Sequence, residues 1–184
     1  MLYSIILACT LEGGIGYNNI IPWDIKSELY LFKQITTGCV DNFKSNAVIM
    51  GRKTWESLKY KPLKDRINII ITKDANSFKY DNLISFADMD KAFEYCERNV
   101  NIDKVFVIGG KSIYDLCLDK YADNIEYIYL SVIYKYFYCN KFINIRNILS
   151  NYEAINENVI FHPQFLHMKM KKKEKRIKDN KCQV

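Results

Sequence analysis

Residues 104–118, Lys-Val-Phe-Val-Ile-Gly-Gly-Lys-Ser-Ile-Tyr-Asp-Leu-Cys-Leu, hold a complete structural unit. The apolar run Val105 to Ile108 is β-branched and aromatic and too short for a helix of its own, as expected of a strand buried on both faces. Gly109-Gly110 ends it, and Ser112 to Leu118 resumes with apolar residues at helical spacing. The same order occurs upstream, where Ala47-Val-Ile-Met50 runs through Gly51-Arg-Lys-Thr-Trp55 into a helical stretch. A strand, a glycine and a helix, in that order and twice over, is the grammar of an α/β sheet.

Working outward, Tyr3 to Cys9, Ile67 to Thr72 and the weaker Leu83 to Phe86 read as further strands, and Met89 to Arg98 as a helix. Pro22-Trp23-Asp24 opens another helix, with an apolar stripe of Ile25, Leu29, Phe32 and Ile35 and with Asp24 as its cap. Glu12 to Asn19, with three glycines, reads as an irregular, mobile loop. Ile125 to Ile133 and Phe165 to Lys171 form an expected final antiparallel pair, the second alternating Leu166, Met168 and Met170 on one face. The prediction is a single α/β domain with a mostly parallel twisted sheet, an antiparallel C-terminal strand pair and helices on both faces. Such sheets bind ligands at the carboxyl ends of their strands.

Composition agrees. The chain has 184 residues, 49% of them hydrophobic, and few glycines and prolines, which suits one core and argues against disorder. No apolar run reaches the ~20 residues of a membrane helix, and no secretory leader is recognisable, so neither a membrane nor export is expected. The six cysteines form no C-x-x-C pair and are read as reduced and cytoplasmic. Lys169 to Val184 contains eight basic and two acidic residues, which accounts for the entire net charge of +6. The rest of the chain is neutral, so the folded part offers no field for nucleic acid.

Glu28 is the most informative single residue. It lies three after Ile25 and four before Phe32, so helical spacing puts it on or beside the apolar stripe. Either it reaches back to water from the edge of that stripe, or it is a partly desolvated carboxylate whose pKa rises or which is met by a cationic partner. Gly109-Gly110 and Gly51-Arg52-Lys53-Thr54 each join strand to helix, and Lys73 stands just past the third strand. Open backbone N–H groups and this basic cluster could hold a pyrophosphate and a further phosphate, suiting a 2′-phosphorylated dinucleotide; equally, the glycines could serve turns and the cations a solvated face. The Rossmann pattern G-x-G-x-x-G after a strand is missing. Arg66, in Pro62-Leu-Lys-Asp-Arg66, could fork onto a ligand carboxylate or pair with a surface acid such as Asp65. The two histidines, His162 and His167, have no partners at zinc spacing, and no hydrolase or NTP-binding motif occurs, so no metal is expected.

In order, these segments resemble the dihydrofolate reductase family from Leu2 to Lys171. The matching blocks are Ile6-Leu-Ala8, Gly14-Ile-Gly-Tyr-Asn-Asn-Ile-Ile-Pro-Trp23, Glu28-Leu-x-x-Phe32, Val48-Ile-Met-Gly-Arg-Lys-Thr-Trp-Glu-Ser57, Pro62-Leu-x-x-Arg66 and Val107-Ile-Gly-Gly-x-x-Ile-Tyr114. The resemblance implies reduction of 7,8-dihydrofolate to tetrahydrofolate with NADPH, hydride to C6 and a proton to N5, in the service of one-carbon metabolism and thymidylate synthesis. It implies that Glu28 holds the pterin and that Trp23 and Ser131 help to hold the water network through which the proton travels. It assigns Ile6, Leu29, Phe32, Ser57, Leu58, Ile108 and Tyr114 to substrate, and gives Arg66 the substrate's α-carboxylate. To the cofactor it assigns Ala8, Ile15, Gly16, Asn18, Ile20, Gly51, Arg52, Lys53, Thr54, Thr72, Lys73, Gly109, Gly110, Lys111, Ser112 and Ile113. Antifolate-type small molecules are implied as further ligands.

The chain departs from the family's usual pattern at Ser131, where threonine is common, and at Asn140-Lys-Phe-Ile143, where only Phe142 matches clearly. Residues 144–164 match in length and general pattern alone. The domain is expected to span 1–171, with 172–184 a basic tail. That tail is read as a solvated terminus, a polyanion-binding segment, or a junction to a thymidylate synthase domain or partner. The rival readings are a non-catalytic dinucleotide-binding protein and a reductase of pyrimidine intermediates in riboflavin synthesis. The latter would not require Trp23, Glu28 and Arg66 together.

Overall fold

A computed structural model describes residues 1–74 and 83–174. The strands are β1 (Tyr3–Thr10), β2 (Gly14–Gly16), β3 (Ser45–Gly51), β4 (Arg66–Ile71), β5 (Ile84–Phe86), β6 (Ile102–Val107), β7 (Ile125–Ile133), β8 (Lys141–Phe142), β9 (Tyr152–His162) and β10 (Phe165–Lys172). The helices are α1 (Lys26–Thr37), α2 (Arg52–Ser57), α3 (Met89–Arg98), α4 (Lys111–Asp119) and α5 (Ile145–Asn151). One eight-stranded sheet runs β5-β4-β3-β6-β1-β7-β10-β9. Its strands pair in parallel from β5 to β7, and β10 is antiparallel to both β7 and β9.

Alternation within the strands divides the core in two. Ile5, Leu7, Ile49, Ile69, Val107, Ile128 and Leu130 face α3 and α4, which contribute Met89, Ala92, Ile113, Tyr114 and Cys117. Ile6, Val48, Met50, Ile70, Phe106 and Ile108 face the other way, against Trp55 of α2 and against Phe32 and Ile35 of α1. Both faces of the sheet are therefore covered, and the expected α/β architecture is the one observed. The five cysteines among the described residues are free thiols.

The structure corrects three expectations. Helix α1 starts at Lys26 with Ile25 in the capping position, and no side chain caps it, so Asp24 does not have the role its residue type suggested. Glu12–Asn19 is not irregular: β2 pairs with β8, and Tyr17 and Ile20 exchange backbone hydrogen bonds across a turn whose central residues, Asn18 and Asn19, have positive φ. There, Gly13 and Gly14 serve close approach, since a Cβ on Gly13 would lie 2.5 Å from the Ile143 carbonyl oxygen and one on Gly14 2.7 Å from the Cys139 sulfur. Strand β9 has no counterpart in the sequence reading, because Asn156-Glu-Asn158 interrupts its alternation and its pairing with β10 is irregular. Of the basic tail, Lys172 closes β10; residues 175–184, Cys182 included, lie outside the described residues.

Asn46, fully buried on β3, fastens α1 to the sheet. Its amide donates to the Thr36 and Gly38 carbonyls at 3.1 and 3.2 Å, and its oxygen accepts from the Lys104 N–H at 3.1 Å. Asn46→Leu strands three backbone groups and should cost about 3 kcal/mol in urea denaturation. A stability equal to that of the parent chain would contradict this role.

Candidate active site

The carboxyl ends of β1, β3, β6 and β7 meet the first turn of α1, and most of the residues singled out in the sequence lie there. Gly51 closes β3 and Gly109-Gly110 follows β6; the Gly51 N–H donates to the Gly109 carbonyl at 2.8 Å, and the Ile108 N–H to Ile49 at 2.9 Å. Gly109 has φ +101°, and a Cβ there would come within 2.7 Å of the Tyr114 ring. Cβ atoms on Gly110 and Gly51 would press on Thr54 Oγ1 at 3.1 Å and Ile113 Cγ1 at 3.3 Å. The buried Tyr114 donates its hydroxyl proton to the Ile6 carbonyl at 2.9 Å, fixing α4 against β1.

Neither α2 nor α4 carries a side-chain cap, so both helices present open N–H groups beside this glycine cradle. Around it, Arg52 pairs with Glu56 at 2.6 Å and Lys111 with Asp115 at 2.5 Å. Lys53 and Lys73 are exposed and form no ion pair among the described residues. Thr72 is buried, its N–H on the Phe86 carbonyl, while Ser112 is exposed and Ile113 buried. Lys53 also lines a hollow of about 250 Å³ with Asn18, Asn19, Ile20, Glu56 and Ser57, bringing the turn after β2 opposite α2. Gly16 is buried, and Ala8 and Ile15 are half-buried.

Glu28 occupies the third position of α1 and is 8% exposed. Burial raises its pKa; a hydrogen bond from Ser131 opposes the rise. The helix dipole at this first turn also favours the ionised form. No ion pair reaches Glu28 among the described residues, which excludes the cationic partner contemplated from the sequence. Leu29, next to it, is exposed and so does not share the apolar stripe expected of it, while Phe32 and Ile35 are half-buried against the sheet. Trp23 is buried against Phe137, with ring centroids 5.6 Å apart, in a cluster that includes Ala8, Ile133 and Phe165. Leu58 packs with Trp55, and Ser57 donates to the Thr54 carbonyl at 2.7 Å.

Arg66 sits over the Phe32 ring at 5.8 Å and is half-buried. Its Nη1 donates to Thr36 Oγ1 at 2.7 Å and its Nε to the Lys64 carbonyl at 2.9 Å. It forms no ion pair among the described residues, so the pairing with a surface acid, the alternative to a ligand carboxylate, is absent there. Burial lowers its pKa, and neighbouring Asp65 acts in the opposite sense. Thr36 escaped the sequence reading, although its place four residues after Phe32 puts it on the same helical face. Asn68 shapes the turn before Arg66 by bonding both backbone groups of Leu63.

His167 was also missed. Buried at 4% exposure, it lies opposite Ser131 in the β7–β10 register, with Nδ1 3.0 Å from Ser131 Oγ. The sequence offered only its alternation with Phe165 and Lys169. Among the described residues no group of side chains could hold a metal ion, and no helix is long and apolar enough to cross a membrane.

The parallel sheet thus carries, towards the carboxyl ends of its strands, a buried carboxylate and a glycine-lined cradle with basic residues around it. The family model for dihydrofolate reductase matches residues 2–171. A dihydrofolate reductase of Heliothis virescens is 38% identical over 144 residues, covering 76% of this chain and 77% of that protein. One from Pneumocystis carinii is 36% identical over 154 residues, covering 78% and 74%. A bifunctional dihydrofolate reductase-thymidylate synthase of Paramecium tetraurelia is 38% identical over 154 residues, 83% of this chain and 30% of that protein. The chain belongs to the dihydrofolate reductase family and is an oxidoreductase.

Burial pushes the His167 pKa down to about 4, from 6.5. Below pH 6.5 the unfolded chain therefore binds a proton that the folded one refuses, and stability is lost as the pH falls towards 4. The shift corresponds to at most about 3 kcal/mol. Glu28, whose folded pKa is raised, has the opposite slope in acid. Denaturation at pH 7 and pH 4.5 should show a smaller acid loss for His167→Phe than for the parent chain; parallel losses would contradict the buried, neutral imidazole.

Proposed function

We propose that this chain reduces 7,8-dihydrofolate to 5,6,7,8-tetrahydrofolate with NADPH, in the cytoplasm, supplying one-carbon transfer and thymidylate synthesis. The observation that carries the reading is Glu28, a buried carboxylate with a hydroxyl for company and, among the described residues, no cation paired with it. Such a group is costly until a ligand brings donors to it. A pterin brings two, a ring N–H and an exocyclic amine, in parallel, and two bonds fix the ring's rotation as one could not. Antifolate-type molecules that present the same pair of donors would compete for it.

The cradle fits NADPH on two counts: glycines where a Cβ would collide with its surroundings, and exposed cations beside open helix N–H groups. Gly51, Gly109, Gly110, Lys111, Ser112 and Ile113 would hold the phosphates together with Arg52, Lys53 and Thr54. Thr72 and Lys73 would hold the adenosine side, and Ala8, Ile15, Gly16, Asn18 and Ile20 the nicotinamide side. When bound, NADPH supplies the hydride that the pterin accepts at C6.

The chain's own residues do the rest. Ile6, Leu29, Phe32, Leu58, Ile108 and Tyr114, with Ser57 at the rim, enclose the substrate and exclude bulk water. Arg66, already held by Thr36, presents a guanidinium for the substrate's α-carboxylate. Glu28 orients the pterin and raises the proton affinity at that end of the ring, with Trp23 and Ser131 holding the water through which N5 is protonated. A thymidylate synthase domain or partner is the macromolecular association suggested by the names of the bifunctional relatives.

NADPH consumption dependent on dihydrofolate tests the reading; cofactor binding without turnover would favour a non-catalytic nucleotide-binding protein. Glu28→Gln should retain NADPH binding and lose roughly 10²-fold or more in hydride transfer, measured in single turnover. Unchanged turnover would remove Glu28 from the mechanism. Arg66→Leu should weaken dihydrofolate binding by about 2–5 kcal/mol in a fluorescence titration, and an unaltered Kd would refute the carboxylate contact.

A further inference from the structure

Ser131 lies between two groups that compete for one proton. Its hydroxyl favours the ionised form of Glu28 on α1, and His167 Nδ1 on β10 stands 3.0 Å from the same oxygen. The geometry is built by the sheet: Ala8, Ser131 and His167 are in register across β1, β7 and β10, so the three side chains leave the same face beneath α1. The imidazole is buried and lies nearly parallel to the Tyr129 ring, with centroids 6.3 Å apart.

A hydroxyl has one proton and two lone pairs. Were Nδ1 bare, it would attract that proton, and the serine would turn lone pairs towards a buried carboxylate. Serine has no second heavy atom on Cβ to restrict χ1, so its own rotamer preference does not settle the matter. We infer that His167 is a positioning residue for the reduction: its Nδ1–H donates to Ser131 Oγ, which leaves the serine proton to be donated to Glu28.

The surroundings of Glu28 support this direction. Tyr114 of α4 is within electrostatic reach of it and Ser131 of β7 is beside it, while the register of β1, β7 and β10 sets Ala8, Ser131 and His167 side by side on the sheet, with Ile6 and Tyr129 two residues along β1 and β7. None of these carries a charge at neutral pH. The cation on this part of β10, Lys169, lies over the Tyr127 and Tyr129 rings at 3.7 and 5.7 Å. The orientation of one hydroxyl is therefore the lever available for tuning the carboxylate, and a chain of two hydrogen bonds strengthens each link.

The inference rests on the proposed dihydrofolate reduction, and the test separates the two. In single-turnover hydride transfer across a pH series, His167→Phe should raise the midpoint of the pH profile by about half a unit, since a Ser131 hydroxyl that no longer accepts a hydrogen bond donates more weakly to the carboxylate and is free to turn from it. His167→Asn, whose amide can donate from the position of Nδ1, should return the midpoint to that of the parent chain. A Phe variant with an unshifted midpoint would overturn the inference, as would an Asn variant shifted as far as the Phe variant while both melt like the parent. Nitrogen NMR of the unaltered, histidine-labelled protein supplies a readout independent of folding in the variants and of activity. A protonated Nδ1 and a bare Nε2 are expected at His167, and a bare Nδ1 would overturn the inference. A parent chain that does not oxidise NADPH with dihydrofolate would refute the proposed function, while the tautomer would still decide the role of His167.

Discussion

A carboxylate kept out of water is the constraint around which the rest of this protein is organised. Glu28 stands in the first turn of α1 and faces the sheet, where burial alone favours its neutral form. The helix dipole and the Ser131 hydroxyl offset part of that cost, and no cation cancels it among the described residues. The outcome is a buried carboxylate with a hydroxyl beside it and no ion pair among the described residues. That is a poor arrangement for stability and a good one for holding a flat heterocycle by its edge, consistent with the proposed role.

The fold supplies the rigidity that such a group needs. Asn46 ties the end of α1 to β3 and β6, so the helix cannot slide along the sheet without losing three buried hydrogen bonds. On the other side of the sheet, Tyr114 anchors α4 to β1, and the Gly51 to Gly109 bond joins two strand ends whose glycines let Tyr114 and Ile113 pack close. The apolar face of α1 then carries Phe32 beneath Arg66, while Thr36 holds the guanidinium from the next turn of the same helix. One helix thus bears Glu28 near its start and positions Arg66 from its last turn.

Features governed by local periodicity could be read from the chain. The apolar runs of β1, β3, β6 and β7 announce strands, and the three-and-four spacing around Glu28 puts it on or beside the apolar stripe, which the structure resolves as buried. Features set by pairing at a distance could not. The glycines at 13 and 14 suggested a loose loop because nothing nearby announces that Cys139 and Ile143 will press against them. Strand β9 hides behind a polar centre at the sheet's edge. His167 meets Ser131 only through the register of β7 on β10, and 36 residues separate the two in sequence. At Asp24, residue type suggested a cap, but the helix begins two residues later, after Ile25 has turned into the core.

Direct observation of the Glu28 carboxyl carbon through a pH titration, in glutamate-labelled protein without ligands, bears on this account most closely. Comparison with the Glu28→Gln spectrum assigns the signal. The account predicts a midpoint above the ordinary glutamate value of 4.5. A midpoint at or below that value would mean that the carboxylate is solvated or already satisfied, and the reason for a ligand to bind there would be gone.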